Sequence, residues 1–139
     1  MSEADAKKKI DEDAKEFFSI RSIDEAENYF SALPSAHHFR LVDKLAMQAV
    51  ESKATDAELV ANFFKRAREK DLCTPAAFEE GFMPLAEIID DVAIDAPKAL
   101  ELFAVMVKGA GLHEDEERRT RIAEKSTDSA KLQGLFAAS

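Results

Sequence analysis

Three aspartates within six positions are the side chains of this sequence best placed to do chemistry. They are Asp90, Asp91 and Asp95, and Pro97 follows two positions later. Such a group can bind a metal ion, supply catalytic acids, cap a helix or face a basic partner. A calcium loop is excluded because the segment lacks the glycine and the distal glutamate that this loop requires. A solvated helix cap and a contact for basic groups both stay open.

The other reactive side chains do not form a site. His37 and His38 are adjacent, so on a helix they point about 100° apart and cannot share a metal ion. His113 is isolated, and we expect all three histidines at helix starts or on the surface. Cys73 has no base near it in sequence and is expected to be a small buried hydrophobe. We therefore predict no enzymatic activity, no metal and no cofactor.

The negative charge is concentrated in one part of the chain. The formal net charge is −9, and no Lys, Arg or His lies between Lys70 and Lys98. The carboxylates of this stretch are Asp71, Glu79, Glu80, Glu87, Asp90, Asp91 and Asp95. Such a field repels nucleic acid and attracts basic protein surfaces. The lysine cluster at residues 7–9 has no interleaved aromatic residue for base stacking, so strong nucleic-acid binding is not expected. An acidic surface that serves solubility is the alternative.

Length and composition indicate one globular domain. The chain has 139 residues, of which 46% are apolar and 34% are charged, enough for a single modest core. No apolar run approaches the roughly 20 residues that a membrane span requires, so no membrane association is expected. The single cysteine excludes a disulfide framework and is typical of a reducing compartment, so we expect a cytoplasmic protein.

Apolar residues recur at helical spacing along the whole chain, which predicts an all-α fold. The predicted helix starts lie near Asp5, Ser22, Ser35, Thr55, Thr74 and Asp95. Six helices with short connections stack most simply as three antiparallel pairs. Paired starts recur about every 30 to 40 residues, close to the spacing of HEAT-type repeats. A closed bundle is the rival arrangement, because periodicity does not exclude it.

Two features of the fifth and sixth predicted helices lead to specific expectations. Pro84 lies inside the fifth helix and predicts a bend or break there, since proline removes a backbone hydrogen bond. Asp95 is the predicted N-cap of the sixth helix, ahead of Pro97. Asp91 then lies at the end of the fifth helix, where its charge opposes the helix dipole. A residue that is unfavourable for its own helix is a candidate for function.

The segment after Gly111 is strongly charged. Acidic residues precede arginines by four positions, the favourable order for pairs within one helix. The predicted pairs are Glu114–Arg118, Asp115–Arg119 and Glu117–Arg121. We predict a seventh helix over 114–125, after which the last dozen residues either form a short helix or fray. The chain is thus divided into a domain at 1–112 and a charged C-terminal helix or tail at 113–139.

Three segments together resemble an MA-3 domain, the all-helical, HEAT-like module of translation initiation factor 4-gamma and programmed cell death protein 4. The first is "KKIDEDAKEFFSIRSIDEAENYF" and the second is "LPSAHHFRLVDKLAMQAVE". The most specific is "TPAAFEEGFMPLAEIIDDVAIDAPKALELFAVMV", with G-F, an acidic segment and D-x-P before the last helix. One such domain with a short charged tail most resembles the C-terminal MA-3 domain of a fungal-type factor 4-gamma.

The resemblance implies a HEAT-like stack of three helix pairs with an additional C-terminal helix, and a protein-binding function. Its implied partner is the DEAD-box RNA helicase of cap-dependent initiation, bound through that protein's basic surfaces. In the family, two acidic residues four apart form the salt bridges, and here these positions are Asp91 and Asp95, with Pro97 fixing the turn. Asp90 and Glu87 complete the predicted partner-binding set.

Alternatives to this function stay open at the level of sequence. The domain is expected to be a monomer that belongs to an initiation scaffold and modulates the helicase, and the sequence does not decide between stimulation and inhibition. An inhibitory domain like that of programmed cell death protein 4 is one alternative. A structural module that packs within its own chain or dimerises is the other.

Overall fold

Residues 1–138, which a computed structural model describes, form eight α-helices and two short 3-10 helices, with no strand among them. The α-helices are α1 (Glu3–Ile20), α2 (Ile23–Ser31), α3 (His38–Val50), α4 (Ala54–Glu69), α5 (Pro75–Asp95), α6 (Ala99–Gly109), α7 (Glu116–Ala123) and α8 (Ser129–Ala137). The 3-10 helices are Ser35–His37 and Leu112–Glu114. The all-helical prediction is confirmed.

The helices stack as antiparallel pairs, as the spacing of their starts predicted. The two most extensive contacts join a helix to the one two places further along the chain, α3 to α5 and α4 to α6. Helices α1 and α3, and α2 and α4, contact in the same way, and α3 also packs on its neighbour α4. The same pattern continues from α5 to α7 and from α6 to α8. Odd-numbered helices therefore form one layer and even-numbered helices the other, which is a HEAT-like stack rather than a closed bundle.

The core between the two layers is built from phenylalanine. Eight of the ten phenylalanines are fully buried: Phe17, Phe30, Phe63, Phe64, Phe78, Phe82, Phe103 and Phe136. Most neighbouring rings pack edge-to-face or tilted, as between Phe64 and Phe78, whose centroids lie 5.3 Å apart, and Phe78 stacks on Phe82. Phe18 and Phe39 are only half-buried. Phenylalanine thus supplies most of the largest buried side chains of the core.

Two of the predicted helix starts have the expected caps. The Ser22 hydroxyl accepts a hydrogen bond from the backbone N–H of Glu25 at 3.3 Å and begins α2. The Thr74 hydroxyl accepts from the N–H of Ala77 at 3.1 Å and begins α5, with Pro75 at its first position. Both caps depend only on neighbours along the chain, which is why sequence predicts them.

Three other predicted caps are wrong. Ser35 begins a 3-10 turn instead of α3, and Thr55 lies inside the first turn of α4. Asp95 ends α5 instead of capping α6, because the N–H of Ala96 still donates to the carbonyl of Val92 at 2.9 Å. Helix α6 begins only after Lys98, without a side-chain cap.

Helix α5 runs unbroken from Pro75 to Asp95 through Pro84, so the predicted break is wrong, while the alternative bend stays a prediction. The carbonyl that loses its partner belongs to Glu80, an exposed residue, where water can take the place of the missing N–H. On the inner side, Gly81 allows α5 to approach α3 closely. A Cβ at that position would lie 2.5 Å from the Cβ of Val42 and 2.7 Å from the Phe39 carbonyl oxygen.

The charged C-terminal segment folds onto the stack as a fourth helix pair. Its apolar side chains Ile122, Leu132 and Phe136 are buried in the common core. The ammonium group of Lys108 donates to the carbonyls of Leu135 at 3.0 Å and Ala138 at 2.7 Å at the end of α8. Helix α7 lies within the predicted range 114–125, and α8 shows that the following residues form a helix rather than fray.

Two residues considered for chemistry have structural positions instead. Cys73 is buried, as predicted, and burial raises the pKa of its thiol to about 12. His38 begins α3, which is one of the two positions expected for the histidines, and it is buried there. Its Nε2 lies 2.8 Å from the carbonyl oxygens of both Phe30 and Leu33 and donates to them, which ties α3 to the end of α2.

Candidate partner-binding surface

The second half of α5 presents a row of carboxylates to solvent. Glu87, Asp91 and Asp95 are all exposed and follow one another at four-residue spacing. At about 100° per residue they cover about 80° of the helix circumference, so they form one continuous ridge. We call this ridge the acidic row. Asp91 and Asp95 are both exposed, and both belong to the last turns of α5 and not to the turn that follows it.

The helix beneath the acidic row is closely packed against the rest of the domain. The opposite face of α5 carries Phe82, Leu85 and Ile89, each with no exposed surface, and packs mainly on α3. The Thr74 cap and the close contact at Gly81 fix the start and the middle of the helix. The carboxylates are therefore held in place by an element whose position the core determines.

The acidic row has no basic partner within residues 1–138. The ion pairs of that part of the chain include none of its three carboxylates. Like charges four residues apart repel each other, and negative charge near a helix C-terminus opposes the dipole, with no basic residue in the last turn. The row thus weakens its own helix slightly, while its lone pairs face solvent and can accept hydrogen bonds.

Asp90 points in a different direction from the acidic row and is engaged inside the chain. Its carboxylate accepts hydrogen bonds from the Ser126 hydroxyl at 2.7 Å, the Thr127 N–H at 2.8 Å and the Thr127 hydroxyl at 3.0 Å. The Thr127 N–H and the Ser126 hydroxyl hold the pKa of Asp90 below its ordinary value. Its lone pairs are therefore used to fasten the connection between α7 and α8. Asp90 therefore supports this segment, and its place in the partner-binding set stays a prediction.

Glu79 is an important residue that the sequence did not single out. This carboxylate is only 8% exposed and contacts two arginines of α7. Arg118 Nη1 lies 2.6 Å from Oε1, and Arg121 donates through Nε at 2.6 Å and Nη2 at 2.9 Å. Arg121, followed by Arg118, holds the pKa of Glu79 below its ordinary value. We call this group the Glu79 clamp, and it fixes α7 against α5.

The clamp replaces part of the charge pattern predicted within the tail. Arg121 does lie within 4.0 Å of Glu117, as expected for residues four apart. Glu114 instead lies 4.0 Å from Arg68, and Arg119 donates to the carbonyl of His113 at 2.9 Å. No local sequence pattern reveals the clamp, because Arg118 and Arg121 lie 39 and 42 residues after Glu79 in the chain.

Pro97 lies exposed in the tight turn that joins α5 to α6, next to the end of the acidic row. The N–H of Ala99 donates to the carbonyl of Ala96 at 2.9 Å and closes this turn. Beside it is an open cleft of about 370 Å³ between the α3–α4 and α5–α6 turns, lined by Val50, Ser52, Ala54, Ala96, Pro97, Lys98, Ala99 and Leu102. Pro97 borders this cleft, whereas Asp95 lines a neighbouring opening of about 280 Å³ together with Glu51, Val92 and Ala96.

The part of the chain that the structure covers contains no group of three or more His, Cys, Asp or Glu side chains arranged to hold a metal ion. None of its helices has both the length and the apolar composition to cross a membrane.

Two layers of antiparallel helix pairs with an exposed acidic row define a HEAT-like helical-repeat protein. More specifically, the family model described as "MA3 domain" matches residues 6–113, and the chain belongs to this family. The chain is 31% identical over 134 residues to "MA3 domain-containing translation regulatory factor 1" of Arabidopsis thaliana. The matched region covers 92% of this chain and 19% of that protein. No solved structure matches the chain. The particular likeness to a fungal-type factor 4-gamma stays a prediction.

Proposed function

We propose that this domain is a protein-interaction module of translation that binds the DEAD-box RNA helicase of cap-dependent initiation through the acidic row. The observation that carries the proposal is a row of three exposed carboxylates on a closely packed helix, without a basic partner in residues 1–138. The name of the Arabidopsis relative supports a place in translation, although the chain spans only 19% of that protein's length. In this proposal the domain acts in the cytoplasm by binding and not by catalysis.

The geometry of the row suits a pair of basic side chains. Residues four apart on a helix have Cβ atoms about 5–6 Å apart, so Asp91 and Asp95 can each accept from a different arginine or lysine. The carboxylates are already ordered by α5, which reduces the entropy lost on binding. Pro97 restricts the backbone directly after the row, so the surface changes little between free and bound states.

The decisive variant reverses the charge at two positions, Asp91→Lys together with Asp95→Lys. We expect binding to the purified helicase, measured by titration calorimetry, to weaken about 100-fold or more. The matched control is Glu58→Lys with Glu69→Lys, two exposed carboxylates of α4 that change the net charge equally. This control should bind within about threefold of the parent protein, because long-range attraction is screened at physiological salt.

An equal affinity of the parent and the Asp91/Asp95 variant would contradict the proposal. The row would then serve solubility, as in a structural module that packs within its own chain or dimerises. Sedimentation of the free domain tests that alternative directly, and we expect a monomer. The helicase's ATPase rate with saturating domain then separates a stimulating scaffold from an inhibitory domain.

A further inference from the structure

Two exposed isoleucines lie on the same half of α5 as the acidic row. The large apolar side chains that are exposed in residues 1–138 are Met1, Ile20, Ile88 and Ile94. Ile94 is the most exposed of them at 78%, and Ile88 is 40% exposed. Single exposed apolar residues are common on protein surfaces, so their number carries no information by itself. Their positions relative to the carboxylates do.

The helical angles place the isoleucines at the two edges of the acidic row. At about 100° per residue, Ile94 lies about 20° outside Glu87, and Ile88 lies about 20° outside Asp95. All five exposed residues therefore fit within about 120° of the helix circumference, with the carboxylates between the two isoleucines. The core does not require this arrangement, since the opposite face of α5 already supplies the buried side chains.

We propose that Ile88 and Ile94 are apolar anchors of the acidic row, and that the partner surface combines basic side chains with apolar contacts on both sides of them. The inference rests on the proposed function and adds the chemistry of the partner. Exposed ion pairs alone contribute little, because water and salt screen them. Apolar side chains at the edges exclude water from the charged contacts and contribute by their own burial.

The anchors and the carboxylates should have separable effects on binding. Carboxylates mainly determine the association rate and the salt dependence, whereas buried apolar contacts mainly determine the dissociation rate. The partner must offer arginine or lysine stems beside apolar side chains, because these stems can pack on isoleucine while their charges reach the carboxylates. A purely basic surface would leave both isoleucines in water.

The test compares Ile94→Ser and Ile88→Ser with Ile20→Ser, a control in α1 that is 54% exposed and lies outside this face. The probe is the purified helicase, with rates measured by surface plasmon resonance at low and high salt. We expect Ile94→Ser to weaken binding about tenfold or more, mostly through faster dissociation and with an unchanged salt slope. The effect of Ile88→Ser should be smaller, and Ile20→Ser should match the parent.

The outcomes separate this inference from the proposed function. If the isoleucine variants bind like the parent while Asp91→Lys/Asp95→Lys loses binding, the proposed function is supported and the proposal of apolar anchors is refuted. If Ile20→Ser weakens binding as much as Ile94→Ser, the effect is not specific to the face and the anchors are again overturned. A parent protein that does not bind the helicase overturns both proposals.

Discussion

Replacing Glu79 with glutamine removes the charge that holds α7 against α5 while preserving the side-chain shape. Glu79 accepts three short, charge-assisted hydrogen bonds from Arg118 and Arg121, at 2.6, 2.6 and 2.9 Å. Loss of one partner in a fully buried ion pair costs about 3–5 kcal/mol. The arginine side chains are 25% and 49% exposed, so they regain water when the carboxylate is lost. We therefore expect a cost of about 2 kcal/mol.

This cost should appear locally, in the fourth helix pair. If the stack beneath α7 and α8 stays folded, a change of about 2 kcal/mol raises the fraction of molecules in which these two helices are locally unfolded by about 30-fold. Hydrogen exchange followed by mass spectrometry should show correspondingly faster exchange in α7 and α8, and unchanged exchange in α3. The control is Glu80→Gln, because Glu80 is the exposed neighbour and takes part in none of the ion pairs within residues 1–138. Parent-like exchange of α7 in Glu79→Gln would refute the clamp.

The same clamp predicts a pH dependence with a defined sign. Arg121 and Arg118 lower the pKa of Glu79 from its ordinary value of 4.5 in the folded state. A carboxylate with a lowered pKa stabilises the fold above its unfolded-state pKa and loses this contribution as the pH falls through the folded-state pKa. The free energies of unfolding of the parent and Glu79→Gln, measured in urea, should therefore differ at pH 7, and the difference should shrink as the pH falls below the ordinary pKa of 4.5. A difference that grows toward acid pH would contradict this reasoning.

Three further predictions concern the core. Gly109→Ala places a Cβ against the Ala61 backbone where α6 meets α4, so thermal unfolding should show that the free energy of unfolding falls by about 1–3 kcal/mol. A Cβ at Gly134 meets open space, so Gly134→Ala should be neutral or stabilise α8 by up to about 1 kcal/mol. Equal stabilities of the two variants would contradict the close contact. His38→Ala should cost about 1–3 kcal/mol in urea unfolding, since the Leu33 carbonyl loses its donor while the Phe30 carbonyl keeps the N–H of Leu33. A parent-like midpoint would show that water replaces the imidazole. Burial raises the pKa of the Cys73 thiol to about 12, so iodoacetamide at pH 8 should label Cys73 slowly until urea unfolds the chain. Rapid labelling of Cys73 in the folded protein would contradict its burial.

The sequence determined the features that depend on neighbours along the chain. Helical spacing of apolar residues predicted the all-α fold, because one buried stripe per helix is sufficient to define its inner face. The caps at Ser22 and Thr74 were predictable because each side chain bonds to an N–H three residues away. The exposure of Asp91 and Asp95 followed from the same spacing, since they lie opposite the apolar stripe of α5.

Only the tertiary structure decided which charges are free and which are used inside the chain. Asp90 and Asp91 are adjacent in sequence, yet Asp90 fastens Thr127, 37 residues away, while Asp91 faces solvent. Glu79 and Glu80 differ in the same way, because only Glu79 meets the arginines of α7. Successive residues on a helix point about 100° apart, so the packing of the next helix pair, and not the residue type, determines which of two neighbouring carboxylates finds a partner.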